Sequence, residues 1–199
     1  VGAEMCIRDR SYALVSEIAR TLRRGGEGGL ERTYLTQYVQ LHPEDPYRSA
    51  YLVTVADSYL EDGQEQLAVH YYRRVLRSQP DLFVIGKSLH LQCLERLVEL
   101  DDSVRHVEYY RELIERFPTE IDLGINLYRL ANSYFQQGEW ELGFDAYGKF
   151  LHAPPTDILG TPNAYRQVTE LIRFHQSDKD WVREDLLILV EEIRTAINN

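Results

Sequence analysis

Two cysteines, one methionine and two tryptophans are all that this chain of 199 residues carries of those types. Cys6 stands in an atypical first segment, and Cys93 alone cannot form an intramolecular disulfide, so cysteine usage is silent on redox compartment. Positive charge is also scarce. Lysine and arginine number 22 against 32 acidic residues, a net charge of −10 with pI about 5.1. Binding nucleic acid or an anionic membrane surface calls for positive potential, so no nucleic-acid partner is expected. No apolar run approaches the roughly 20 residues of a membrane span, so no transmembrane segment is expected either.

Catalytic signatures are missing as well. The glycine-rich Gly25-Gly26-Glu27-Gly28-Gly29 follows a helical pattern, where a phosphate-binding loop would follow a strand. It reads as a turn between helices. There is no Gly-x-Ser-x-Gly, no His-Glu-x-x-His and no Cys-x-x-Cys. The chain is therefore expected not to be an enzyme and to need no cofactor. At 44% hydrophobic and 27% charged residues it is composed like an ordinary folded protein.

The first ten residues, VGAEMCIRDR, lack both helical periodicity and the apolar stretch of a signal peptide. They resemble a translated sequencing-adapter remnant, so 1–10 is expected to be a non-native extension. From Ser11 onward a repeat dominates. Pro43, Pro80, Pro118 and Pro155 are separated by 37, 38 and 37 residues. Eight residues before each stand Leu35, Tyr72, Tyr110 and Tyr147; twenty-four before stand Ala19, Ala56, Leu94 and Ala131. Seventeen before stand Gly26, Gly63, Asp101 and Gly138. A small residue on one helix lets a second approach, and a large aromatic fills the space beside it. Glycine or aspartate tolerates the left-handed backbone that ends a helix, and proline stops the next one. Each repeat is thus an antiparallel helix pair that must stack on its neighbours.

This register resembles the tetratricopeptide repeat family, best from Leu52 to Pro80 and again from Leu127 to Pro155. The period exceeds the family's by about three residues, which points to a longer first helix in each pair. The resemblance implies an all-α fold, a right-handed α-solenoid of antiparallel helix pairs, with four pairs over 11–155. Residues 156–199, with Thr161 and Pro162 opening helices over 162–175 and 181–197, are expected as a divergent fifth pair or capping helices. No segment reads as strand.

In the family the first helix of each pair lines a concave groove that grips a peptide or partner helix. Carried to this chain, that surface comprises Arg20, Arg23, Val53, Asp57, Leu60, Leu91, Glu95, Val98, Tyr128, Asn132 and Phe135, with Ser16 in the same register. It is a mostly apolar strip flanked by acids, with arginines at one end. The family's lysine, asparagine and arginine clamp for a terminal carboxylate is matched only at Asn132. His90, Cys93 and His106 are the sole set with ligand chemistry; core packing is the favoured reading, because no fourth ligand accompanies them. The expectation is a non-catalytic scaffold or adaptor for another protein or peptide, a homo-oligomer remaining open. The alternatives are a metal-binding module or the recruiting arm of a longer enzyme. The phrase His42-Pro43-Glu44-Asp45-Pro46-Tyr47 resembles bacterial envelope proteins of the family, which favours the cell envelope or periplasm over the cytoplasm.

Overall fold

The computed structural model of the chain describes residues 2–78, 83–84, 87–101, 105–153, 161–175, 182 and 184–198. Pro80, Pro155, the turn expected over 154–160 and Trp181 lie outside them. Ten helices are described: α1 (Gly2–Arg24), α2 (Gly28–Leu41), α3 (Arg48–Glu61), α4 (Glu65–Arg77), α5 (Leu89–Leu100), α6 (His106–Arg116), α7 (Leu123–Gln136), α8 (Trp140–His152), α9 (Thr161–Phe174) and α10 (Glu184–Asn198). The fold is all-α but for one detail that the sequence reading missed. Between α4 and α5, β1 (Phe83–Val84) pairs antiparallel with β2 (Lys87–Ser88).

The glycine turns form as their chemistry dictates. Gly26, Gly63 and Gly138 have φ of 77°, 71° and 78°, the left-handed region that penalises a Cβ. Each closes its helix with the same two bonds. Gly63 N donates to Leu60 O (2.9 Å) and Gln64 N to Tyr59 O (2.8 Å), repeated by Gly26 and Glu27 and by Gly138 and Glu139. Asp101, expected in the same role, is extended instead, with φ −105° and ψ 95°. Aspartate carries a Cβ, so at this turn the extended basin wins. Gly63→Ala is expected to cost the first unit about 1–2 kcal/mol in a urea titration, because nothing in the fold relieves the left-handed strain.

Two features of helix length differ from the periodicity read in the sequence. Helix α1 begins at Gly2, so the backbone of residues 2–10 is helical; alanine, glutamate, methionine and arginine all favour helix there. Helix α1, with 23 residues, is longer than its partner α2, with 14, but α3, α5 and α7, with 14, 12 and 14, exceed α4, α6 and α8, with 13, 11 and 13, by one residue each. The extra length of the repeat sits in the connections, such as 42–47 and 117–122.

The chain divides into two compact units, Val1–Asp101 and Asp102–Asn199. The third expected pair is shared out, α5 to the first unit and α6 to the second. In the first unit each helix packs on the next, and α3 also meets α5. In the second, α6, α7, α8, α9 and α10 pack in sequence, and a Cβ at Gly148 of α8 would lie 3.2 Å from Leu186 of α10. The register residues Ala56, Tyr72, Val75, Leu94 and Leu97 of the first unit are fully buried, as are Ala131 and Phe144 of the second. Burying a large apolar side chain contributes roughly 1.5–3 kcal/mol each relative to exposure.

Candidate partner-binding site

The positions expected to face a partner divide into three groups. Val53, Leu91 and Val98 are buried in the first unit. The reason is the packing of α3 on α5, which encloses the middle of the expected strip. Those three residues are core.

The second group is engaged in bonds between paired helices. Tyr72 Oη on α4 donates to Asp57 Oδ1 on α3 (2.5 Å). Tyr147 Oη on α8 donates to Asn132 Oδ1 on α7 (2.6 Å). The same register positions, fifteen residues apart, thus carry a tyrosine-to-Asx bond in each unit. Burial holds the Asp57 carboxyl above the usual carboxylate range, while the Tyr72 bond and the charges of Arg96 and Arg23 pull it back. Burial, with Asp57 adding to it, likewise pushes the Tyr72 hydroxyl up. Phe135 meets Trp140 and Phe144 edge-on at 5.3 and 5.1 Å and Tyr147 at a tilt at 5.2 Å, its ring lying over Gly143, where a Cβ would come within 2.8 Å of it. Tyr128 packs on Phe150 (5.5 Å) and its hydroxyl lies 3.5 Å from Gln167. Leu60 and Glu95 are half-buried.

The third group lines a cleft in the first unit. Tyr12, Ser16, Ala19, Arg20 and Arg23 of α1, Glu31 and Leu35 of α2, and Tyr51 and Thr54 of α3 surround about 190 Å³. One end is aromatic, with Tyr12 stacked on Tyr51 at 5.8 Å. The other is charged. Arg23 Nε donates to Glu31 Oε2 (3.0 Å), Nη1 to Glu61 Oε1 (3.2 Å) and Nη2 to the Thr54 carbonyl (3.1 Å), so one guanidinium joins α1, α2 and α3. Burial opposes the charge of Arg23, but the bond to Glu31 and the surrounding carboxylates outweigh it and raise its pKa. Arg20 is exposed and pairs along its own helix with Glu17. The Tyr51 hydroxyl is buried and has no hydrogen-bond partner among the described residues, and burial pushes its pKa upward, with smaller contributions from Asp45 and neighbouring tyrosines.

Sequence reasoning reached Ser16, Arg20 and Arg23 but not Tyr12, Glu31, Tyr51 or Thr54. The legible signal was Glu31, a carboxylate at a register position that expects a small residue. The His42–Tyr47 phrase is accounted for locally. Asp45 accepts from Tyr38 Oη (2.9 Å) and from Tyr47 N (2.8 Å), and Tyr47 stacks on Tyr12 at 4.4 Å.

The metal candidates fall in different units. His90 and Cys93 are buried on α5 of the first unit, and burial pushes the Cys93 thiol well up, away from the thiolate that metals bind. His106 belongs to the second unit, where its Nδ1 lies 3.4 Å from Ser133 Oγ and its ring meets Tyr110 at 4.7 Å. Among the described residues no three histidine, cysteine or acidic side chains are placed to hold a metal. None of the described helices is long and apolar enough to cross a membrane.

Residues 126–154, the α7–α8 pair, match the tetratricopeptide repeat family. The α7–α8 pair is thus a tetratricopeptide repeat. The match falls on the second of the two strongest stretches in the sequence, not on Leu52–Pro80. No curated protein sequence matches the chain. Among solved structures it is similar to a tetratricopeptide repeat protein from Parabacteroides merdae ATCC 43184, at 17% identity and TM-score 0.54, over 95% of this chain and 77% of that one. It is also similar to MamA 41-end from Desulfovibrio magneticus RS-1, at 16% identity and TM-score 0.52, over 92% and 95%. A MamA RS-1 double mutant gives 15% identity and TM-score 0.53, over 92% and 94%. Identities this low establish the fold alone.

Proposed function

We propose that this chain is a non-catalytic tetratricopeptide-repeat interaction scaffold that holds a partner peptide or helix along α1 of its first unit, with one partner side chain seated in the cleft. The observation that carries this is the cleft itself, in which Ser16, Arg20 and Arg23, all placed by register on a partner-facing helix, line one cavity. Its volume of about 190 Å³ falls below the roughly 300–1,000 Å³ of small-molecule sites and suits a side chain better than a cofactor. The buried Tyr51 hydroxyl supplies a donor that an incoming acceptor can satisfy. Arg20 is exposed, pairs with Glu17 on its own helix and can turn toward a partner without disturbing the fold.

The test is capture of a partner by the intact chain, repeated with Ser16→Trp to fill the cleft and Arg20→Glu to reverse its charge. Both variants are expected to keep the helical circular dichroism of the parent and to weaken capture by about tenfold or more, the loss typical of a central anchor. Undiminished capture by both would place the binding surface elsewhere.

A further inference from the structure

The second unit carries an aromatic surface that the scaffold reading does not use. Phe174, in the last turn of α9, is 81% exposed, and Trp140, at the first turn of α8, is 38% exposed. They are joined through His175, whose ring lies 5.1 Å from Phe174, 5.9 Å from Trp140 and 5.6 Å from the buried Phe144. Phe135 backs Trp140 at 5.3 Å. Two large exposed rings on a packed aromatic base have the form of an interface anchor.

The charge around these rings has one sign in excess. Glu139 and Glu141 flank Trp140, and Glu170 lies one turn before Phe174 on the same face of α9; all three are exposed. The acids at the start of α8 favour the helix dipole, but Glu170 stands near the end of α9, where the dipole disfavours an anion. Of the arginines on α9, Arg173 is committed to Glu191 at 3.1 Å, and the exposed Arg166 stands one turn before Glu170, on the side away from Phe174. Apolar rings with exposed carboxylates next to them in sequence or one turn away repel an anionic lipid surface and suit a cationic partner.

We propose that this surface docks a basic amphipathic segment of a partner protein, with an apolar side chain against Phe174 and Trp140 and a lysine or arginine beside it. Glu139, Glu141 and Glu170 select for the cation, and the Trp140 face adds a cation–π contact.

The test uses two fluorescein-labelled helical peptides that share a leucine-rich face and carry either lysine or glutamate on the other, titrated with the intact chain by fluorescence anisotropy. The lysine peptide is expected to bind, less tightly as salt rises. Phe174→Ala, a change at a mostly exposed position that leaves the fold intact by circular dichroism, is expected to weaken it by about tenfold or more. Glu139→Lys combined with Glu170→Lys is expected to transfer the preference to the glutamate peptide, and Leu41→Ala, at an exposed position of the first unit, to change nothing. Equal binding of the two peptides, binding indifferent to Phe174→Ala, no binding of the lysine peptide, or a preference for phosphatidylserine vesicles over it would each overturn the proposal.

Discussion

Arg23→Ala is expected to destabilise the first unit by about 3 kcal/mol, read as a fall in the urea midpoint at unchanged slope. The reason lies in Glu31, which is 1% exposed. Arg23 Nε is its charge partner at 3.0 Å, and without that guanidinium the carboxylate is left inside the fold uncompensated. Arg23 is itself one-third exposed, so the loss belongs at the low end of the 3–5 kcal/mol range for broken buried pairs. Replacing both partners with leucine is expected to recover most of the loss, since an apolar pair carries no desolvation penalty. A loss below about 1 kcal/mol in the single variant would mean that water reaches Glu31 and that the pair is a surface one.

The same geometry decides which arginine reports on function. Arg23 also holds Glu61 and the Thr54 carbonyl, so any change there mixes folding with binding. Arg20 is exposed and pairs with Glu17, one turn away on its own helix. Binding should therefore be assayed at Arg20, with Arg23 kept as the fixed floor of the cleft.

How much of this could be read in the sequence depends on the range of the interaction. The turns at Gly26, Gly63 and Gly138 were legible because their conformation is a steric demand on a single residue. The turn at Asp101 was not, because aspartate can take either basin and its surroundings choose. The helix pairs followed from the spacing of small and aromatic residues. The burial of Val53, Leu91 and Val98 did not. Helical phase assigns a residue to a face, but it does not say that α5 will meet α3 across an intervening helix. Glu31 was visible as a departure from the register, yet its partner could be found only in three dimensions, eight residues back on another helix. The cleft was half legible for the same reason. Its α1 side follows from period, whereas Tyr51 and Thr54 come from the packing of α3.

The paired tyrosine bonds give a comparison inside one molecule. Tyr72→Phe is expected to cost about 2 kcal/mol at neutral pH, and Tyr147→Phe about 1 kcal/mol, because the first hydroxyl donates to a carboxylate and the second to an amide. The decisive difference is in pH dependence. Asp57 has a folded pKa raised by burial, so its contribution to stability is largest below its unfolded pKa, near 3.9, and declines as the pH rises through the folded value. The Tyr72 bond favours the ionised carboxylate. Removing it raises the folded pKa further and steepens that decline. The gap between the parent and Tyr72→Phe should therefore widen from about pH 4 to neutrality. Asn132 does not titrate, so the cost of Tyr147→Phe should stay level across that range. Asp57→Asn, which gives the first unit the pairing of the second, should abolish the widening and leave Tyr72→Phe costing the same at both ends. Urea titrations at acid and neutral pH measure all four quantities. A gap that stays constant for Tyr72→Phe in the parent background would mean that the Asp57 carboxylate is solvated and that its bond to Tyr72 works as an ordinary neutral one.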